Sequence, residues 1–167
     1  MYNEELINKI KDIIVDRGET IAAAESVTSG NLQVAFSQAI DASKYFQGGM
    51  TVYNVGQKAR HLNIDPIHAL AVNSVSEEVA SRLAIEISKE FVSDYGVGVT
   101  GYATIVPECE EEGIFAYFSL CYKGEVVLTK KISSDKEGTW PVQLDYTHQC
   151  LQQLLEWLQQ NGEKANR

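Results

Sequence analysis

Between residues 3 and 101 the hydrophobic pattern switches repeatedly between helical spacing and short apolar runs, which restricts the chain to folds in which helices cover a sheet. Leu6, Ile7, Ile10, Ile13 and Ile14 recur at spacings of three and four, predicting an amphipathic helix over 3–17 that Gly18 can end. Thr20-Ile21-Ala22-Ala23-Ala24 then reads as a buried strand of mostly small residues, open to close approach by another element. Glu25-Ser26 falls at its C-terminal end, where open α/β sheets commonly place ligands. Helical spacing resumes at Leu32, Val34, Ala35 and Phe36 and runs to about Ile40. A strand over 46–53 contains Gly48-Gly49, suggesting a bulge or a ligand close to the backbone, and a short helix over 55–62 ends in a turn at Asn63-Ile64-Asp65-Pro66.

Farther on, Ser76 with Glu77 and Glu78 has the form of a helix start, with Val79, Leu83, Ile87 and Phe91 on the buried face. A glycine-alternating strand spans 95–101, and strands at 114–122 and 125–132 form a hairpin turning at Lys123-Gly124. Leu151, Leu154, Leu155 and Leu158 stripe a last helix. The expectation is an α/β fold: a mixed, mostly parallel sheet covered by helices in three layers, α/β/α, as a single domain over 1–160 with a frayed tail at 161–167.

Composition narrows the partners. The 167 residues, 44% hydrophobic, suit one core. Lys and Arg total 14 against 23 Asp and Glu, a formal charge of -9. The densest basic stretch is Lys130-Lys131, and Lys136 is flanked by Asp135 and Glu137, so no basic face argues for nucleic acid. A small anion can still be bound by backbone N–H groups and one or two lysines. Cys109, Cys121 and Cys150 form no CxxC pair and are odd in number, which argues for a reducing compartment. The first residues carry acids, and no apolar run approaches the roughly 20 residues that span a bilayer. The expected setting is cytoplasmic, without membrane contact.

Three segments could carry chemistry. In Ala24-Glu25-Ser26-Val27-Thr28-Ser29-Gly30 a serine follows a buried strand in a turn that opens a helix. It could attack a carbonyl if a base took its proton and helix-start N–H groups held the oxyanion; equally, Ser26, Thr28 or Ser29 could simply cap the helix. In Val52-Tyr53-Asn54-Val55-Gly56-Gln57-Lys58, Tyr53 and Lys58 could share a cleft in which burial turns the lysine into a base, or Lys58 could be a solvated surface residue. In Val99-Thr100-Gly101-Tyr102-Ala103, Thr100 could hydrogen-bond a phosphate or amide, although such strand ends are common.

Taken together in this order and spacing, the segments resemble the CinA C-terminal domain family. Its pattern runs Ala-Glu-Ser-x-Thr-Gly-Gly, then Gly-Gly followed by Tyr-x-Asn-x-x-Lys, then Ala-Val-Ser-Glu-Glu-Val-Ala, then Thr-Gly-x-Ala-Gly-Pro. Glu25, Ser26, Thr28 and Gly30 match the first, Gly48, Gly49, Tyr53, Asn54 and Lys58 the second, Val75 to Ala80 the third, and Thr100, Gly101 and Ala103 the fourth. The resemblance implies hydrolysis of the carboxamide of nicotinamide mononucleotide to nicotinic acid mononucleotide and ammonia, with no metal and no cofactor. It implies Ser26 as nucleophile, Lys58 as base and Tyr53 as the group orienting one of them, with Ser43 an alternative nucleophile. Glu25, Thr28, Gly30, Gly49, Asn54, Thr100 and Gly101 would meet the substrate, Thr28, Gly30 and Thr100 by holding the phosphate or the oxyanion. A homo-oligomer is also implied, for which Tyr117, Phe118 and Trp140 could supply the interface or else pack internally.

The chain departs from the pattern in its loops. Thr104-Ile105-Val106-Pro107 and the acids Glu108, Glu110, Glu111 and Glu112 replace a glycine-rich run, and would repel an anionic nucleotide if they faced the pocket. Lys136 stands for an arginine, and a later arginine has no equivalent. Ser29 takes the place of the first glycine of a pair. Two readings follow: an amidohydrolase with altered specificity, or a ligand-binding or oligomerising module whose catalysis has lapsed.

Overall fold

The computed structural model describes residues 2–162. Its elements in chain order are α1 (Glu4–Asp16), β1 (Ile21–Glu25), α2 (Asn31–Ser37), β2 (Phe46–Thr51), α3 (Val55–Leu62), α4 (Pro66–Ala71), α5 (Glu77–Glu90), β3 (Tyr95–Gly101), β4 (Phe115–Tyr122), β5 (Glu125–Ser133) and α6 (Thr139–Gln160). Short 3-10 turns occupy Ala42–Lys44 and Pro107–Glu112.

The strands form one sheet in the order β2-β1-β3-β4-β5. The first three are parallel, because α2 crosses from β1 to β2 and the helices α3 to α5 cross from β2 to β3. The last three run antiparallel, so the mixed sheet divides at β3. The hairpin closes at Lys123 (φ 50) and Gly124 (φ 88), two consecutive left-handed residues whose twist suits a tight turn between right-twisted strands.

Side-chain alternation on β1 builds both faces at once. Ile21 and Ala23 point into a core made with α1, α2 and α6, while Ala22 and Ala24 join α3, α4 and α5 on the other side. On β3, Tyr95, Val97 and Val99 enter the first core. Gly96 and Gly98 alternate with them and let α5 lie directly on the strand: a Cβ on Gly98 would sit 2.2 Å from the carbonyl oxygen of Ala80, and one on Gly96 2.0 Å from that of Ala84. Ser76 opens α5 as expected, its hydroxyl accepting from the Val79 N–H at 3.1 Å.

Three boundaries differ from expectation. α4, begun by Pro66 with Asp65 as its cap, occupies what reads as a turn and loop. α2 stops at Ser37 rather than near Ile40, and α6 begins at Thr139, well before its leucine stripe. Of the expected tail, Asn161 closes α6 by donating to the Trp157 carbonyl at 3.1 Å, and residues 163–167 lie outside the described chain.

Gly98→Ala should lower unfolding free energy by about 2–3 kcal/mol or more, because helix backbone must move to admit the methyl group. Gly18→Ala faces open space at φ 67 and should cost about 1 kcal/mol, from backbone strain alone. Urea unfolding of both variants checks the contrast.

Candidate active site

Ser26 is fixed where β1 ends, its N–H donating to the Val99 carbonyl of neighbouring β3 at 3.0 Å. Asn54 starts α3 by accepting from the Gln57 N–H at 3.0 Å, which places Lys58 one turn into the helix and facing the sheet. The Lys58 side chain is 1% exposed, and Nζ lies 2.9 Å from Ser26 Oγ and 3.2 Å from the Tyr53 carbonyl oxygen. No carboxylate pairs with Lys58 among the described residues. Burial without a counter-charge destabilises the ammonium and pushes its pKa down to about 8. Part of the population is therefore a neutral amine near neutral pH. In that form the Ser26 hydroxyl can donate to the nitrogen lone pair, while an amine N–H stays on the Tyr53 carbonyl and keeps the lone pair turned to the serine.

Ser26 opens onto a cavity of about 250 Å³ lined also by Val27, Tyr53, Gly101, Tyr102, Ala103, Thr104 and Thr139. The turn after it closes with the Ser29 N–H donating to the Ser26 carbonyl at 3.1 Å. The N–H of Val27, which lines the cavity, finds no partner among the described residues and is available to an oxyanion formed at Ser26. Ser29 holds φ 52, a left-handed conformation in which the family's glycine would be unstrained.

Several residues expected at the substrate instead build the scaffold. Glu25 is fully buried: one carboxylate oxygen accepts from the N–H groups of Gly30 (3.1 Å) and Leu32 (2.9 Å), the other from the N–H of Gln33 (2.8 Å) and its side-chain amide (3.1 Å). The start of α2 is thereby filled by the protein's own anion, and neither Glu25 nor the Gly30 N–H is free for a phosphate. Gly30 is required by its φ of 96. Gly49 admits close approach of β1 and Gln33, not of a ligand, since a Cβ there would lie 2.3 Å from the Ala23 carbonyl oxygen. Thr100 spends its hydroxyl on the Ser74 carbonyl at 2.6 Å, and Asn54 is the α3 cap. Thr28 is fully buried with its hydroxyl unpartnered among the described residues, and does not line the cavity. Gly101 does line it, but is also pressed against Ala116 of β4.

Ser43 is removed from the site altogether. It is exposed, lies just before β2, and is set by the parallel register of Ile21 with Phe46 at the N-terminal ends of the parallel strands, whereas Ser26 follows the C-terminal end of β1. The five residues of β1 put about 15 Å between those ends. Tyr53 orients Lys58 through its backbone carbonyl; its ring, 63% exposed, forms cavity wall without a hydrogen bond among the described residues.

The acidic loop bends away. Thr104 reaches the cavity beside Ser26, but Glu108 and Glu112 line a second cavity, and the 59% exposed Ile105 lines neither. Val27, Tyr102, Ala103, Thr104 and Thr139 were not assigned roles from sequence; proximity to matched motifs marks the first four, and nothing local marks Thr139. Of the aromatics considered for an interface, Phe118 is fully buried, Tyr117 lines the second cavity, and Trp140 remains 58% exposed beside Thr139. No described helix is long and apolar enough to cross a membrane.

The profile of the CinA C-terminal domain matches residues 3–158. A putative competence-damage inducible protein of Natranaerobius thermophilus is 35% identical over 112 residues, 65% of this chain and 27% of that protein. One from Moorella thermoacetica is 31% identical over 121 residues, 72% and 29% respectively. The chain thus matches little more than a quarter of the length of these relatives. Among solved structures, a CinA superfamily protein of Klebsiella pneumoniae superposes with a TM-score of 0.85 over 96% of this chain and 99% of its own, at 21% identity, a likeness of fold. A competence or damage-inducible protein of Enterobacter asburiae gives 0.83 over 93% and 97%, at 26% identity. With nearly every residue of the domain accounted for by profile and by fold, the chain belongs to the CinA C-terminal domain family.

Proposed function

We propose that this chain is an amidohydrolase that converts a carboxamide to the acid and ammonia, with nicotinamide mononucleotide as the reference substrate. The observation carrying the reading is the 2.9 Å contact between Ser26 Oγ and the buried, unpaired Lys58 Nζ. The hydroxyl proton passes to Lys58 as Oγ bonds to the amide carbon, and the developing oxyanion meets the N–H of Val27. Lys58 returns the proton to the leaving nitrogen, so that the C–N bond breaks, ammonia departs and an acyl ester remains on Ser26. Water then gives a proton to Lys58 and its oxygen to the acyl carbon. As the ester bond breaks, the proton returns to Ser26 and the carboxylic acid is released.

The lapsed-module alternative makes the opposite forecast for one assay, ammonia release by the purified protein. Under our reading, Ser26→Ala and Lys58→Met each reduce turnover by about a thousandfold or more, while Ser43→Ala and Tyr53→Phe stay within about threefold of the parent. Absence of turnover in the parent, with every substrate offered, favours the module instead.

Because the base must be neutral, kcat/KM should rise with pH as a single ionisation centred at about 8. A profile flat from pH 6 to pH 9 contradicts Lys58 as the base. Stability should follow the same group. Lys58 titrates at about 8 when folded against an ordinary 10.5, so the unfolded chain binds more protons between those values and unfolding free energy rises with pH across that window. Lys58→Met should remove that rise, as read from urea midpoints at pH 7.5 and pH 10.

A further inference from the structure

No residue lining the cavity beside Ser26 carries a formal charge: its walls are glycine, alanine, valine, threonine and tyrosine. Its volume, about 250 Å³, lies below the roughly 300–1,000 Å³ of sites that enclose drug-sized ligands, so it suits a single ring bearing a carboxamide better than a nucleotide. Tyr53 supplies ring surface that is 63% exposed and whose hydroxyl has no hydrogen bond among the described residues, and Val27 and Ala103 add apolar wall. An apolar body seated here leaves water against these groups.

The charged groups of the neighbouring segments are engaged elsewhere. Glu25 already fills the start of α2. Lys131 pairs with Glu112 and rests its ammonium 4.0 Å from the Phe115 ring centroid, and neither side chain lines the cavity. Lys136 pairs with Asp135 at 3.1 Å. The start of α6 at Thr139 is exposed and attracts an anion only weakly, and Glu137 just before it adds negative charge. Lys58 is then the one cation bonded to Ser26. An anion beside Ser26 would stabilise the Lys58 ammonium and hold the base in its unreactive form, whereas a neutral ligand leaves the amine free to form. On a chain of formal charge -9, the same arrangement disfavours retention of a carboxylate product.

We propose that the site selects by charge: it takes neutral primary carboxamides carried on one small aromatic or aliphatic body, without phosphate or carboxylate, and expels the anionic acid. The substrate assignment rests on the amidohydrolase reading; the preference of the cavity for a neutral over an anionic ligand does not. Tyr53 is the apolar wall, and the exposed lining residue Thr104 is the position at which a single added cation reverses the preference.

The first test is calorimetric titration of the full chain carrying Ser26→Ala, which prevents turnover, at pH 9, where Lys58 is mostly neutral. Benzamide should saturate one site in the millimolar range, with benzoate and phenyl phosphate about tenfold weaker or more. Tyr53→Ala should weaken benzamide about fivefold. Thr104→Lys should bring the two anions to within about threefold of benzamide while leaving benzamide itself within about twofold. No benzamide binding up to about 100 mM, benzoate binding as tightly as benzamide, or no effect of Thr104→Lys on the anions overturns the preference. The second test compares ammonia release by the parent from benzamide, from 4-carboxybenzamide, which adds only a negative charge, and from nicotinamide mononucleotide. A kcat/KM about tenfold higher for benzamide than for the other two, narrowed by Thr104→Lys, supports the proposal. A rate on either anionic amide that equals or exceeds that on benzamide overturns the substrate assignment. If none of the three is hydrolysed, the amidohydrolase reading fails while the titration still decides the charge preference.

Discussion

The Glu25 carboxylate, with no exposed surface at the end of β1, accepts four hydrogen bonds from the start of α2. Charge-assisted bonds of this kind contribute about 1.5–3 kcal/mol each, and together they exceed the 1–2 kcal/mol of strain typical of a left-handed non-glycine residue such as Ser29. The balance explains how the turn from Ser26 to Gly30 holds its shape with a serine where a glycine would be relaxed. It also fixes where Ser26 stands, because β1, Glu25 and α2 clamp the turn from both sides. The acid that resembles a ligand residue in sequence is the joint on which Ser26 is mounted.

Lys58 poses the complementary electrostatic problem. Burying an ammonium beside neutral oxygens is unfavourable, and no nearby carboxylate offsets the lost hydration. A salt bridge would favour the charged form and hold the proton through the range where a base must lose it. The same desolvation that weakens the fold as pH falls from 10.5 to about 8 leaves part of the amine neutral beside Ser26. Asn54 and the Tyr53 carbonyl hold the geometry while leaving the charge uncompensated.

The surroundings divide the two electrostatic roles between two cavities. The one beside Ser26 is lined by small, hydroxyl and aromatic groups without formal charge. Glu108 and Glu112 are confined to the cavity beyond Tyr102 by the 3-10 turn at Pro107–Glu112. The Tyr146 hydroxyl donates to the Tyr102 carbonyl at 3.0 Å and ties this partition to α6. The acids that would repel a ligand beside Ser26 are thus turned toward a space where aromatic rings and an ammonium already meet.

Local pattern alone determined the layers. The spacing of Ile7, Ile10 and Ile14 marked α1, the glycine alternation of 95–101 marked β3, and Lys123-Gly124 marked the hairpin, because each depends on backbone periodicity or a left-handed turn within a few residues. The motifs also brought Ser26 and Lys58 forward as a pair. Only the tertiary structure placed Ser26 beside Lys58 and Ser43 away from it, since that depends on which end of the parallel strands each serine occupies and the register sets that. Only it assigned Glu25, Gly49, Thr100 and Asn54 to the scaffold, because a carboxylate, a hydroxyl or an amide reads identically in sequence whether its partner is a substrate or the protein's own backbone. What a polar residue does is decided by the groups that folding brings within about 3 Å of it, and those groups come from positions far away in the chain.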